Sequence, residues 1–184
     1  WYKEGKVVEW GYFINGWQET VANLADSIMV LIEAGKYDLA EGHIKWQERV
    51  IKRDHSEEKY MDRFDPILRR AKIEYAKLNY STALKGFVAY SNKVKKMFGP
   101  STPKYLFVQN DIANCYVGMG KLLDAIELYD NRLKAYESGE SNYLNVLSNK
   151  AGVLRKMGRQ EESKRLLNDE YEKSRLREGD TSKY

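Results

Sequence analysis

The sequence predicts an all-α protein assembled from antiparallel helix hairpins, and three observations carry that expectation. A turn-and-helix pattern recurs in four stretches, "LIEAGKYDLAEGHI" (31–44), "EYAKLNYSTALKGF" (74–87), "YVGMGKLLDAIELY" (116–129) and "LRKMGRQEESKRLL" (154–167). A small residue returns in each at nearly constant spacing: Ala40, Ala83, Ala125 and Ser163, separated by 43, 42 and 38 positions. Helix stops and starts alternate along the chain. They are densest in "GPSTPKYLFVQNDIANCYVGMGKLLDAIELY" (99–129), where Gly99-Pro100 ends one helix, Thr102-Pro103 opens the next and Gly120 ends that one.

Taken in order, the spacing predicts helices over 17–34, 37–54, 58–77, 80–98, 103–119, 122–137, 142–157 and 160–177. Asp65-Pro66 is a second start signal inside the third, so that helix begins there or kinks there. Within each hairpin a turn residue closes the first helix. Gly35, Gly120 and Gly158 do so by taking positive φ. In the second hairpin Leu78 stands where the others have glycine, and Asn79 beside it is the residue better suited to that conformation. The small residue then lets the second helix approach the first, and a large partner one turn on (Ile44, Phe87, Tyr129 or Leu167) shares its face. Twelve positions before the small residue come Ile28, Ala71, Ala113 and Ala151. Nine before come Leu31, Glu74, Tyr116 and Leu154, of which Glu74 alone does not suit an interhelix groove. Gly99 and Gly139 end the fourth and sixth helices. Thr102 is the expected N-cap of the fifth, ahead of Pro103.

Residues 1–15, "WYKEGKVVEWGYFIN", are aromatic and unlike the rest; they read as a cap on the first hairpin or the stub of a preceding helix. Residues 16–178 form the repeat domain, and the end (179–184 of "REGDTSKY") reads as a polar tail. The start at Trp1, without methionine, reads as an excised or processed product.

Composition narrows the chemistry. Apolar residues make up 42% of the chain, enough for a continuous core, and charged residues 32%. Lys and Arg number 31 against 27 Asp and Glu, a net charge of +4 spread along the chain, which fits mixed-sign helix surfaces better than a polyanion-binding block. The longest apolar run, "IMVLI" at 28–32, is far too short to cross a membrane. A single cysteine, Cys115, excludes an intrachain disulfide and a multi-cysteine metal site. With no base placed beside it, Cys115 reads as a packed structural thiol. His43 and His55 read as surface or edge residues without a zinc-like partner set. Glu57-Glu58 and Glu161-Glu162 are sequence neighbours, so they point in different directions on a helix. "GMG" at 118–120 lacks the strand that a phosphate loop follows, and the "NYS" sequon at 79–81 matters only in a secretory compartment. No catalytic constellation and no cofactor or metal site is expected, so the chain reads as non-enzymatic.

The four stretches together resemble the tetratricopeptide repeat, in the 42-residue variety found in kinesin light chains. "ALKGFVAYSNKVKKMFGPSTPKYLFVQNDIANCYVGMGKLLDAIELY" carries the likeness best: a second helix, a glycine-containing loop, a Pro-started first helix with an Asn-rich stretch ending in Ala, then glycine and a new helix. The likeness covers about residues 17–178. It departs at Leu78, Glu74 and Ser163, and in the shorter last spacing. It implies a right-handed superhelical α-solenoid of about four hairpins. It also implies a function in protein–protein interaction, as a scaffold gripping a peptide or partner segment in a concave groove and serving as a module of a larger protein.

In such stacks the first helices line the inner wall. The residues on them that point away from the core are Arg69, Lys72 and Tyr75 in the second hairpin; Phe107, Asn110, Asp111, Asn114 and Val117 in the third; and Asn145, Ser148, Asn149 and Arg155 in the fourth. Asn110 with Asn114, and Asn145 with Asn149, are i, i+4 pairs on one face. An Asn amide offers donors and an acceptor, so it can hold an extended backbone whatever the side chains of that segment are. Arg69, Lys72 and Arg155 could hold a carboxylate. Two further readings stay open: a regulatory or sensor domain controlling an attached effector, and an RNA-contacting scaffold using the basic helix ends "KVKKM" (93–97), "IKRD" (51–54), "LRR" (68–70) and "KSRLR" (173–177). The partner class expected first is a protein or peptide, with nucleic acid second, no membrane insertion and a cytoplasmic location.

Overall fold

The computed structural model describes residues 2–3, 6–7, 27–53, 65–134 and 141–181. Near the start, β1 (Tyr2–Lys3) and β2 (Lys6–Val7) pair antiparallel, Tyr2 opposite Val7 and Lys3 opposite Lys6, so these four residues are extended. The rest of the expected 1–15 cap, His55 and Gly139 lie outside the described residues. From residue 27 onward the described chain is all helix and turn. The helices are α1 (27–33), α2 (Tyr37–Arg53), α3 (Pro66–Ala76), α4 (Tyr80–Phe98), α5 (Pro103–Gly118), α6 (Leu122–Leu133), α7 (Ser141–Lys156) and α8 (Gln160–Thr181). The all-α expectation therefore holds. α3 starts at Pro66, the second of the two starts the sequence offers; α6 ends at Leu133, short of 137, and α8 runs on to Thr181 through half of the expected 179–184 tail.

The chain divides into two compact units, Trp1–Tyr90 and Ser91–Tyr184. In the first, α2 presents Ala40, His43, Ile44 and Gln47 as one buried stripe at helical spacing. Ile28, Ile32, Ala40, Ile44 and Ile73 form its core, with α2 packed on α3. Arg70 on α3 reaches back to two carboxylates of α2, Glu41 at 2.8 Å and Glu48 at 2.6 Å. In the second unit α5 packs on α6, α6 on α7 and α7 on α8. Ala113, Ala125, Tyr129, Val146 and Val153 make the core shared by α5, α6 and α7. Lys150 on α7 pairs with Asp130 on α6 at 2.5 Å. Arg70 and Lys150 both stand thirteen positions before the small residue of their hairpins, so one register position supplies the cation in both places.

All four hairpins close with the same turn. The residue at positive φ (Gly35 69°, Leu78 64°, Gly120 75°, Gly158 77°) donates its N–H three residues back, to Ile32, Tyr75, Val117 and Arg155. The next residue (Lys36, Asn79, Lys121, Arg159) donates five back, at 2.8–2.9 Å, and its carbonyl accepts from the small residue in the first turn of the second helix. This is the Schellman pattern, which satisfies the last carbonyls of the first helix. In the second hairpin Leu78 itself takes the left-handed conformation, not Asn79. Position within the hydrogen-bond ring decides which residue turns, and it overrides side-chain preference.

The interhelix contacts follow the predicted register. Ala40, Ala83, Ala125 and Ser163 are buried, as are Ile28, Ala71, Ala113 and Ala151 twelve positions earlier. Ser163 Oγ donates to the Ala151 carbonyl at 3.0 Å, so the serine keeps the small size and satisfies its hydroxyl inside the contact. Asp65 caps α3, its Oδ1 accepting from Ile67 N at 2.8 Å and Leu68 N at 3.4 Å. Thr102 holds the N-cap position of α5 in extended conformation, but its hydroxyl donates to the Gly99 carbonyl and makes no cap bond.

Candidate groove on the second unit

The residues predicted to point away from the core are distributed over both units. On α3, Tyr75 stands edge-on to Tyr80 and Phe87, with ring centroids 5.4 and 6.5 Å away. The Lys72 ammonium lies 6.0 Å from the Phe87 ring. Both contacts are packing within the second hairpin. Arg69 is half-buried on the same helix. These three residues form one stretch of helix in the first unit.

The second unit brings part of the prediction together. Asn114 and Val117 on α5 and Ser148, Asn149 and Arg155 on α7 line one open depression of about 600 Å³. Tyr129 of α6, Gly152, Val153 and Lys156 complete the lining. The spacing explains the convergence. α5 and α7 are first helices of consecutive hairpins, each bound to α6, so residues away from the core on one helix stand beside those on the other. Tyr129 Oη reaches Asn114 Oδ1 at 3.5 Å, a long hydrogen bond that uses one lone pair of the carbonyl and neither N–H. Asn149 and Arg155 are exposed, and the lining holds two cations and no carboxylate.

Phe107, Asn110 and Asn145 do not join that lining. Phe107 projects into solvent with 57% of its surface exposed. Asn110 is half-buried, with Oδ1 enclosed and unpartnered. Asn145 is exposed on the first turns of α7. The i, i+4 pairs are thus split, one Asn of each pair at the depression and the other away from it. Sequence reasoning passed over Tyr129, Gly152, Val153 and Lys156. Tyr129 was assigned to the core, which is where its ring lies, and only its hydroxyl reaches the depression. Gly152 has no side chain to attract notice, yet its register position is that of Asn114 in the hairpin before.

The remaining chemical groups are enclosed. Cys115 is fully buried, and burial, with the negative charge of Asp111 adding, pushes its thiol up to about 12. It is protonated at neutral pH and packs as a small apolar residue. His43 is not the surface residue expected: α2 turns it inward beside Gln47, and burial lowers its pKa. Gln47 is 1% exposed, and neither of its amide atoms has a hydrogen-bond partner. Among the described residues no group of three or more His, Cys, Asp or Glu is placed to hold a metal ion. No described helix is long and apolar enough to cross a membrane.

No protein-family model matches the chain, and no curated protein matches it.

Proposed function

We propose that this chain is a non-catalytic interaction scaffold of tetratricopeptide type, whose hairpins stack as a right-handed solenoid and which holds an extended partner segment along its first helices. The observation that supports this most directly is the depression on the second unit. It is lined by amides from two successive first helices, Asn114 and Asn149, with Arg155 at its rim. Amides in that arrangement can pair with the N–H and C=O groups of an extended main chain, which gives affinity without demanding one sequence. The identical turn chemistry of all four hairpins supports the repeat reading. A sensor module whose groove occupancy controls an attached effector is the regulatory form of the same proposal.

The test begins with selection of a peptide from a random twelve-residue phage library on the whole chain. The winner is resynthesised with a fluorescent label and titrated by anisotropy. Asn114→Ala combined with Asn149→Ala should weaken binding at least tenfold while far-UV circular dichroism stays unchanged. Affinity within twofold of the parent would refute the groove assignment.

A second reading has its own observation. From Ser91 to Asn110 the chain carries four lysines and no Asp or Glu. Lys95 and Lys96 are exposed beside Met97 and Phe98, and the Lys104 ammonium sits 4.8 Å from the Phe98 ring. Single-stranded RNA could use such a surface through phosphate pairing and base stacking. A labelled U20 oligonucleotide should then bind with a log–log salt slope of about −3, from four contacts at ~0.7 each. No binding at low salt removes this reading.

A further inference from the structure

The glycine at 152 has no structural reason to be glycine. It lies in the interior of α7, outside the set of glycines with positive φ. A Cβ built there would meet only Arg155 Nη2, at 3.8 Å, an ordinary contact. Gly86 shows the contrast: a Cβ there would come within 2.8 Å of Ala71 Cβ, so close helix packing demands its absence. Glycine weakens a helix interior relative to alanine. At position 152 neither backbone conformation nor packing compensates for that weakness. In the other three hairpins the same register position carries Met29, Lys72 or Asn114, each with a side chain that extends beyond Cβ. In α7 it is bare, and the bare stretch lines the open depression.

We propose that Gly152 is a specificity-determining gap that seats an aromatic side chain of the bound peptide against the backbone of α7. The inference rests on the groove reading above and adds the identity of the anchoring residue. The half-buried Val117 offers apolar surface in the same lining, and the Arg155 guanidinium stands beside the position where a Cβ would be. A flat ring suits both neighbours: it buries apolar area on Val117 and stacks on a weakly hydrated planar cation. A carboxylate would pair with Arg155 and Lys156 whether or not position 152 carried a Cβ, so it would gain nothing from the missing side chain. An aliphatic side chain would fill the space but leave the guanidinium face unused.

The labelled peptide from the phage selection is the probe. It should carry an aromatic residue whose replacement by alanine weakens binding about tenfold or more. Gly152→Ala should weaken the same peptide about tenfold while raising the thermal midpoint of the chain by about 2–4 °C, since alanine strengthens the helix. Gly152→Leu should abolish binding with the fold intact by circular dichroism. Gain of stability with loss of affinity is a combination that damage to the fold cannot produce. If both Gly152 variants bind within twofold of the parent while the Asn114/Asn149 double variant fails, the gap is wrong and the groove stands. A selected peptide that binds through Asp or Glu with no aromatic contribution also overturns the gap. If no peptide is recovered, or the double variant binds normally, the groove reading falls and takes this inference with it.

Discussion

Gly86 and Ala71 provide a contact whose energy can be isolated. A methyl group at position 86 would lie 2.8 Å from Ala71 Cβ and 3.4 Å from its Cα. Favourable carbon–carbon contact lies near 3.5–4.0 Å, so α3 and α4 would have to separate. Overpacking of this kind costs about 1–3 kcal/mol. Gly86→Ala also gains about 1 kcal/mol of helix propensity, so the single substitution should destabilise by only about 0–2 kcal/mol. Ala71→Gly makes the opposite propensity change and relieves the methyl–methyl contact. In the double variant the propensities cancel and the methyl has merely moved across the interface. A double-mutant cycle by urea denaturation should therefore give a favourable coupling of about 1–2 kcal/mol. Additivity within about 0.5 kcal/mol would show that the helices do not approach this closely.

Other consequences are open to measurement. The Arg70 guanidinium holds the Glu48 carboxyl below its usual range, chiefly through their hydrogen bond, so this contribution is present at neutral pH and is lost as pH falls through that lowered range. Arg70→Met should cost about 1 kcal/mol at pH 7, after allowing for groups more than a third exposed, and the difference from the parent should shrink as acid protonates the lowered Glu48 carboxyl in urea titrations. Gln47→Met removes a buried amide with no partners and keeps its length; it should stabilise by about 1–2 kcal/mol, and a loss of stability would mean the amide is satisfied in solution. At pH ~8 a thiol near 12 is about one part in ten thousand thiolate, so Cys115 should resist a thiol-specific dye until denaturant opens the second unit. Fast labelling of the native chain would contradict its burial.

How much of this was legible in the sequence depends on whether the cause was local. The turn at Gly35, Gly120 and Gly158 and the small residues beside it are local signals, and α2, α4, α5, α7 and α8 begin within a residue of where the pattern places them. Leu78 was legible as the odd residue, but its conformation was misassigned because ring position outranks preference. The Arg70–Glu41–Glu48 cluster joins residues up to 29 positions apart and has no local signature. Gly86 was invisible for the same reason: its meaning depends on how near α3 comes. His43 and Gln47 are polar types that usually face water, and only the packing around α2 turns them inward. Of the twelve residues placed on the inner face, Asn114, Val117, Ser148, Asn149 and Arg155 converge, because register can place residues on a face but cannot choose among those already on it.

The shared turn has a consequence for how such a chain can be rebuilt. Its two closing bonds run from main chain to main chain, so the tripeptides 34–36, 77–79, 119–121 and 157–159 form the same ring with different side chains. Transplanting Met119-Gly120-Lys121 over Lys77-Leu78-Asn79 would leave the same ring intact with an achiral residue at its apex. Sequence drift at these joints is then free to follow whatever touches them from outside.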